Sequence, residues 1–405
     1  MRRTGWILLV LFVFSIPWEY SLDIGAPFGN VARILGVLSL LVAVPAVLQE
    51  GRFRRVSALH WLTIAFYLWQ CCTLFWTVAP TETLFHLRAF AQEMMLVWLV
   101  WEFVDTVADL QVLLRAWLAG SWLLMALTIL GFISSARLTP EQVRFAAIGQ
   151  DPNDVARLLV FGFPIAVITA EDASKQVQRI LRLAYLPASF AAILLTASRS
   201  GLLLGVAALT GCGIAAFRWH SKALMVATAS VVLAAAGILG LAPTGTLYRL
   251  GTATEAREYG DLNQRVNIWS AGLRAFESAP MIGHGAGSFV SASKVAPEDT
   301  AHNTTLSTLV EGGLCGLSLS VAIIVLAVRA ILKSEAPLRF GLSLLMLLWV
   351  VSSLTGTLWE NRTTWLLIGV AAASGRIAQV SEGTAIDGDQ SRVPSCKGSG
   401  SPALV

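Results

Sequence analysis

Long apolar segments alternate with short polar ones along nearly the whole chain. Each apolar segment approaches the roughly 20 residues that a helix needs to cross a bilayer. Because hydrocarbon cannot hydrogen-bond an open backbone, such segments are predicted to be helices. The pattern therefore predicts an all-α membrane protein with about twelve transmembrane helices. They are placed at 4–19, 31–48, 58–78, 86–104, 112–133, 153–171, 183–198, 200–217, 223–242, 303–328, 338–357 and 363–380.

Composition excludes the main alternatives. Of the 405 residues, 56% are hydrophobic and 13% are charged, whereas a soluble domain is about 25% charged. This excludes a soluble enzyme and a disordered protein. The net charge of +4 is small and dispersed, so no nucleic-acid surface is predicted. The five cysteines have no metal-ligand or disulfide spacing, and no metal or cofactor is predicted.

Basic residues favour one set of connections. With the N-terminus in the cytoplasm, the segments around Arg2, Arg54 and Arg179 fall on the inner side, and most of the 29 Lys and Arg residues fall there too. This is the positive-inside pattern, so both termini are predicted to be cytoplasmic.

The predicted organisation has four parts. Nine helices occupy 1–242, a long outer loop occupies 243–302, three helices occupy 303–380, and a polar, disordered cytoplasmic tail occupies 381–405. The outer loop is too long to be a simple connection.

Part of this loop has helical periodicity. Val266, Trp269, Leu273 and Phe276 recur at helical spacing. They predict an amphipathic helix that lies on the membrane surface and ends before Pro280.

Three residues from distant segments are predicted on the outer face. Arg199, between two apolar helices, is either an anion clamp or a snorkelling arginine. Arg265 opens the amphipathic helix, whose first N–H groups attract anions, or it is solvated. His302 is placed to take a proton from a hydroxyl, or it forms a helix cap with Asn303. Together they suit an anionic, lipid-linked substrate with a hydroxyl acceptor.

Further polar residues are candidates to line the same site. Asn153 belongs to Asp151-Pro152-Asn153-Asp154, which precedes another helix, and capping of that helix is the main interpretation of this segment. Arg88 lies near an outer helix end. Glu311 needs a polar partner in its apolar helix, and its spacing from His302 places the two on opposite helix faces.

A glycine-rich segment precedes the re-entry into the membrane. Gly283-His284-Gly285-Ala286-Gly287 lacks the spacing and the strand–helix context of a dinucleotide site. It is predicted to be a tight turn where the backbone approaches a substrate or another helix.

The order of these motifs resembles the O-antigen ligase and polymerase superfamily. The resemblance is carried by Arg265-x3-Trp269, Pro280-x2-Gly283-x-Gly285-x-Gly287-x-Phe289 and His302-Asn303-x2-Leu306-x4-Glu311-x-Gly313-x2-Gly316-Leu317. Ser198-Arg199-Ser200-Gly201 and Asp151-Pro152-Asn153 fit the same pattern, and the likeness extends to about residue 380.

The resemblance implies a GT-C-type glycosyltransferase of the bacterial inner membrane. Such enzymes act at the periplasmic face on glycans carried by undecaprenyl diphosphate, without metal. It implies that Arg199 and Arg265 hold the diphosphate and that His302 serves as a base or positions the acceptor. Substrate contacts are expected from Arg199, Arg265, Asn303, Gln264, Trp269, Asn153, Arg88 and Glu311.

The family divides by acceptor. A ligase attaches the glycan to a lipid A–core sugar, whereas a polymerase joins undecaprenyl-linked repeat units. Chain length and the single large periplasmic loop favour a ligase; an O-antigen or exopolysaccharide polymerase is the alternative. A secondary transporter is the remote alternative, because it would predict charges at the bilayer midplane in two related halves. Membrane lipid is an expected partner, and nucleic acid is not.

Overall fold

The computed structural model describes residues 1–25, 29–51, 53–138, 144–241, 248, 261–297 and 299–390. Within these ranges the chain forms α-helices and no β-strand. In chain order they are α1 Arg2–Ser15, α2 Val31–Glu50, α3 Ala58–Cys72, α4 Pro80–Phe103, α5 Val107–Leu138, α6 Pro152–Glu171, α7 Gln176–Leu183, α8 Tyr185–Leu195, α9 Arg199–Arg218, α10 Lys222–Leu241, α11 Asp261–Ser278, α12 Phe289–Ser293, α13 Thr304–Leu332, α14 Leu338–Ser353 and α15 Arg362–Gln390.

The described residues include eight helical segments that are long and apolar enough to cross a membrane. The chain is therefore a multi-pass membrane protein. Each of the twelve predicted segments overlaps a helix, but the count of twelve spans stays a prediction. The eight are Arg2–Ser21, Val31–Glu50, Ala58–Phe75, Val107–Ser134, Pro152–Glu171, Gln176–Leu195, Arg199–Arg218 and Thr304–Leu332.

Helix α6 lies at the centre of the bundle. It is buried at nearly every position from Val155 to Ala170 and packs against α5, α8, α9 and α14. Its N-terminus is capped as predicted, because the Asp151 side chain accepts a hydrogen bond from the Asn153 N–H (2.7 Å). A central, fully packed α6 fixes the position of the polar residues at its start.

Charged contacts mark the two ends of the bundle. At one, Arg2 binds Glu50 (2.7 Å) and Asp105 (3.0 Å), which joins α1, α2 and the α4–α5 connection. At the opposite end, Glu19 forms a buried ion pair with Arg362. We call these the Arg2 end and the Glu19 end.

The C-terminal helix is longer than predicted. It continues to Gln390 and so enters the segment predicted to be a disordered tail. Residues 391–405, the rest of that predicted tail, lie outside the described residues, as does 243–260 of the predicted loop apart from Tyr248.

Helix α13 is broken, although its sequence predicts one apolar span. Gly313 adopts φ 63° and ψ −164° in its interior, a conformation that favours glycine. The break frees two carbonyl groups of the preceding turn, and the glycine-rich segment binds both. The N–H of His284 donates to Val310 O (2.8 Å), and that of Gly285 donates to Glu311 O (2.9 Å).

The residues just before the glycine-rich segment satisfy the N–H groups beyond the break. Leu314 N–H donates to Pro280 O (2.8 Å), and Cys315 N–H donates to Met281 O (3.2 Å). A Cβ at Gly283 would lie 2.4 Å from a carbonyl oxygen of α13. The predicted tight turn with a close backbone approach is confirmed, and the element that it approaches is a helix.

The apolar face of helix α11 is only partly covered by the rest of the protein. Val266 is 54% exposed and Leu273 51% exposed. Trp269 and Phe276 instead pack against a small buried cluster that includes Phe289. Contacts with the rest of the outer segment therefore bury part of the predicted apolar face and leave the other part exposed. The location of α11 on a membrane surface stays a prediction.

Candidate active site

A cavity of about 450 Å³ opens at the Glu19 end. Four residues singled out from the sequence line it: Asn153 on α6, Arg265 on α11, His302 before α13 and Glu311 within α13. Tyr20, Asp151, Asp154, Ser307, Glu360 and Asn361 contribute further polar groups. Helices that are far apart in sequence therefore converge on one polar space.

His302 is held in an unusual backbone conformation. Its φ of 44° lies in the left-handed region, which is uncommon for a residue with a side chain. The next residue, Asn303, caps α13 by accepting a hydrogen bond from Leu306 N–H (3.0 Å). On the other side, Ala301 O accepts a hydrogen bond from the indole Nε1 of Trp269 (2.9 Å). The backbone is thus held by hydrogen bonds at the residues immediately before and after His302.

Three predicted substrate contacts have positioning roles and do not line the cavity. Gln264 Nε2 donates to Asp299 Oδ1 (2.8 Å) and, like Trp269, ties α11 to the segment before α13. Asn303 caps α13. These contacts keep the half-buried Arg265 beside the segment that carries His302.

The surroundings of His302 favour its neutral form. Burial lowers the pKa of the imidazole, and the positive charge of Arg265 lowers it further. Asp151, Asp154 and Asp299 oppose this effect, but the net pKa stays below the ordinary value of 6.5. A neutral imidazole at neutral pH can accept a proton.

Carboxylates also line the cavity. Glu311 is buried, and its Oε1 accepts a hydrogen bond from Ser307 Oγ (3.2 Å), which supplies the polar partner that its apolar helix demands. His302 lies before α13 begins, so helical spacing does not govern its direction. Both side chains therefore reach the same cavity.

Glu360, which the sequence places in a short outer loop with charges of both signs, pairs with His86, a residue that the sequence pattern does not single out. His86 Nδ1 lies 3.2 Å from Glu360 Oε1. Burial acts to raise the pKa of the Glu360 carboxyl, but the hydrogen bond and charge of His86 outweigh it, and the net pKa is lowered. Glu360 is thus held as a carboxylate at the cavity.

Among the described residues, no three His, Cys, Asp or Glu side chains are placed to hold a metal ion.

The remaining predicted cations are placed differently. Arg199 is half-buried at the start of α9 and is not among the lining residues; Arg88 is exposed on α4 and is also not among them. The start of α9 still reaches the site, because Ser198 Oγ donates to Asn153 Oδ1 (2.9 Å). The same oxygen accepts a hydrogen bond from Arg144 Nη2 (2.8 Å). Arg144 is not among the residues predicted to belong to the site. The feature of the sequence that could have indicated it is an arginine in the short segment just before α6.

A narrow groove of about 170 Å³ extends from this corner between α6, α9 and α14. It shares Asn153 and Thr355 with the cavity. Its walls become apolar along α9 and α14, at Leu203, Leu204, Ala207 and Val351. A largely apolar groove therefore borders the polar cavity.

Residues 184–321 match a family model described as O-antigen ligase. This segment belongs to the O-antigen ligase superfamily. It contains Arg199, Arg265, His302 and Glu311, so the resemblance is confirmed for the motifs within this segment. Its extension to Asp151-Pro152-Asn153 and to about residue 380 stays a prediction. A comparison with curated proteins finds no match. Asn153, the fourth predicted residue that lines the cavity, lies outside the O-antigen ligase segment. The fold of α6 brings it to the cavity.

Proposed function

We propose that the protein is a GT-C-type glycosyltransferase of the bacterial inner membrane that moves a glycan from undecaprenyl diphosphate to an acceptor hydroxyl. The observation that carries the proposal is the cavity at the Glu19 end. It joins Arg265, His302 and Glu311 of the O-antigen ligase segment with Asn153 and Glu360 from outside it. In the proposed orientation this end faces the periplasm and both termini are cytoplasmic.

Arg265 binds the diphosphate of the donor in this proposal. A guanidinium offers two parallel N–H donors to phosphate oxygens, and it stabilises the charge that develops as the diphosphate leaves. Arg199 assists from the start of α9, where the following Ser200 and Gly201 line the groove. The apolar part of that groove suits the polyprenyl chain of the donor.

His302 acts on the acceptor. Its neutral imidazole takes the proton of the attacking hydroxyl while the hydroxyl oxygen bonds to the anomeric carbon. The bond from that carbon to the diphosphate oxygen breaks with both electrons going to oxygen, and the sugar carbon inverts. Glu311 and Glu360, which line the same cavity, accept hydrogen bonds from sugar hydroxyls and orient the acceptor. No step uses a metal ion.

A lipid A–core sugar is the proposed acceptor, which makes the protein a ligase. The test uses purified protein in lipid vesicles with an undecaprenyl-diphosphate glycan, EDTA and no nucleotide. Lipid A–core is present in one arm and absent in the other. Glycan on lipid A–core is the expected product. Longer undecaprenyl-linked glycan in the second arm would identify a polymerase that uses the same site. A requirement for a divalent metal would contradict the chemistry proposed here.

A further inference from the structure

A second polar cavity lies at the Arg2 end, opposite the candidate active site. Its volume is about 550 Å³. It is formed by the α2–α3 connection, the end of α4, the α4–α5 connection, and the part of α15 that carries Arg376 and Gln379. Its lining residues are Arg54, Arg55, Ser57, Trp101, Asp105, Arg376 and Gln379. Three arginines and one carboxylate therefore face one space.

The carboxylate of this cavity already has cationic partners. Asp105 binds Arg2 (3.0 Å) and Arg54. Arg55 and Arg376, in contrast, form no ion pair with any residue that the structure describes. These two guanidinium groups leave an excess of positive charge at the cavity.

Hydrogen-bond donors without partners accompany this charge. Arg376 packs over the Trp101 ring at 4.9 Å from its centroid. One nitrogen of Arg376 donates to Val104 O, but its buried Nε has no partner among the described residues. Trp101 is only 5% exposed, and its indole N–H also has no partner there. A buried donor without an acceptor is unfavourable, so a ligand whose acceptor oxygens approach these groups would be favoured.

Apolar side chains flank the cavity on the same connection. Phe53 is 62% exposed, Val56 is 39% exposed and Leu48, near the end of α2, is 58% exposed. In a chain that crosses a membrane, such a belt beside helix ends suits the boundary between headgroups and hydrocarbon. The donor-rich cavity therefore lies next to a surface that suits acyl chains.

We propose that this cavity binds the phosphate group of an anionic phospholipid. Phosphate oxygens accept hydrogen bonds, carry the opposite charge to Arg55 and Arg376, and match the planar guanidinium groups. Basic pockets between helix ends are suited to anionic headgroups. The exposed apolar residues favour a lipid over free phosphate. This site is independent of the glycosyltransferase proposal, and its test requires no glycan substrate.

The test measures lipid binding to the full-length protein by native mass spectrometry in detergent. The probes are phosphatidylglycerol, phosphatidylcholine and inorganic phosphate. We expect one phosphatidylglycerol to bind at concentrations where phosphatidylcholine does not, and to resist millimolar inorganic phosphate. Equal retention of both lipids would overturn the proposal. Displacement by inorganic phosphate at the same phosphate concentration would identify a free-anion site instead.

Arg55→Gln and Arg376→Gln should each weaken phosphatidylglycerol binding about fivefold. Trp101→Phe keeps the ring over which Arg376 packs and removes only the N–H, so it should weaken binding without lowering the melting temperature of the lipid-free protein. Arg339→Gln is the matched control, because Arg339 is exposed near the start of α14 and is not among the cavity residues. An equal loss in Arg339→Gln would show general charge attraction and overturn the site.

Discussion

Replacing Gly283 by alanine tests the insertion of the glycine-rich segment into α13. Gly283 has φ +68°, and a Cβ there would lie 2.4 Å from Glu311 O, 2.5 Å from Glu311 C and 2.6 Å from Gly313 N. All three neighbours are backbone atoms, so no side-chain rotation relieves the overlap. The inserted segment must move away from the break in α13.

The cost follows from what that movement breaks. Alanine in the left-handed region costs about 1 kcal/mol relative to glycine. Displacement of the segment weakens the hydrogen bonds from His284 N–H to Val310 O and from Gly285 N–H to Glu311 O, each with a net value of about 1 kcal/mol. We therefore expect Gly283→Ala to lower the free energy of unfolding by about 3 kcal/mol, which is roughly a 150-fold change in the unfolding equilibrium.

The assay is reversible unfolding in mixed detergent–dodecyl sulfate micelles, followed by tryptophan fluorescence. Gly213→Ala is the matched control, because Gly213 lies within α9 and a Cβ there meets no atom within 4 Å. That control should be neutral or stabilising by up to about 1 kcal/mol. If Gly283→Ala behaves like the control, the glycine-rich segment does not occupy the break in α13, and the positions of Glu311 and of the cavity wall are wrong.

Three further predictions concern the cavity itself. His302→Asn should reduce glycan transfer about 100-fold or more. Because the neutral imidazole is the active form and its pKa is lowered, wild-type activity should fall only as the pH drops below about 6.5. A fall of activity already at pH 8 would contradict this role of His302. Arg265→Lys should lose nearly as much activity as Arg265→Gln, since an ammonium cannot form two parallel bonds to a phosphate; full activity of the lysine variant would refute a bidentate contact. Glu360→Gln should lower the free energy of unfolding by no more than about 1 kcal/mol at pH 7, because the Glu360 side chain in its pair with His86 is about half exposed. The lowered pKa of Glu360 means that this stability is lost when the carboxylate is protonated. The difference from wild type should therefore disappear on acidification, and a difference that grows would be inconsistent.

The helices and part of the site could be predicted from the sequence because both depend on local pattern. Apolar segments of membrane-spanning length identify the regions where helices form. Arg265, His302 and Glu311 stand out because charged or titratable residues beside apolar helices require a reason. These three residues can share a cavity only if the helix ends that carry them meet. Successive membrane-spanning helices run in opposite directions, which brings such ends to the same side of the bundle.

Features that depend on tertiary contacts could not be predicted. The break at Gly313 exists because another segment supplies the missing hydrogen bonds, and no local pattern distinguishes it from a glycine within a continuous span. His86 gains its relevance from Glu360, which is far away in sequence. Arg144 gains its relevance from Asn153 and from Thr196 O (3.4 Å), the second of which lies 52 residues away. Trp269 is predicted to contact the substrate because it belongs to the motif, and that contact stays a prediction. Its hydrogen bond to Ala301 O, which holds the backbone before His302, could not be predicted from the motif.

The central claim is that the cavity at the Glu19 end carries out glycan transfer. The most direct measurement is the rate of transfer from undecaprenyl-diphosphate glycan by purified His302→Ala and Arg265→Ala in lipid vesicles. Arg274→Ala and His220→Ala serve as matched controls, since both residues are exposed and are not among the cavity residues. The account predicts that the first two variants lose about 100-fold or more of the rate while both controls keep it. Wild-type rates in folded His302→Ala and Arg265→Ala proteins would contradict it.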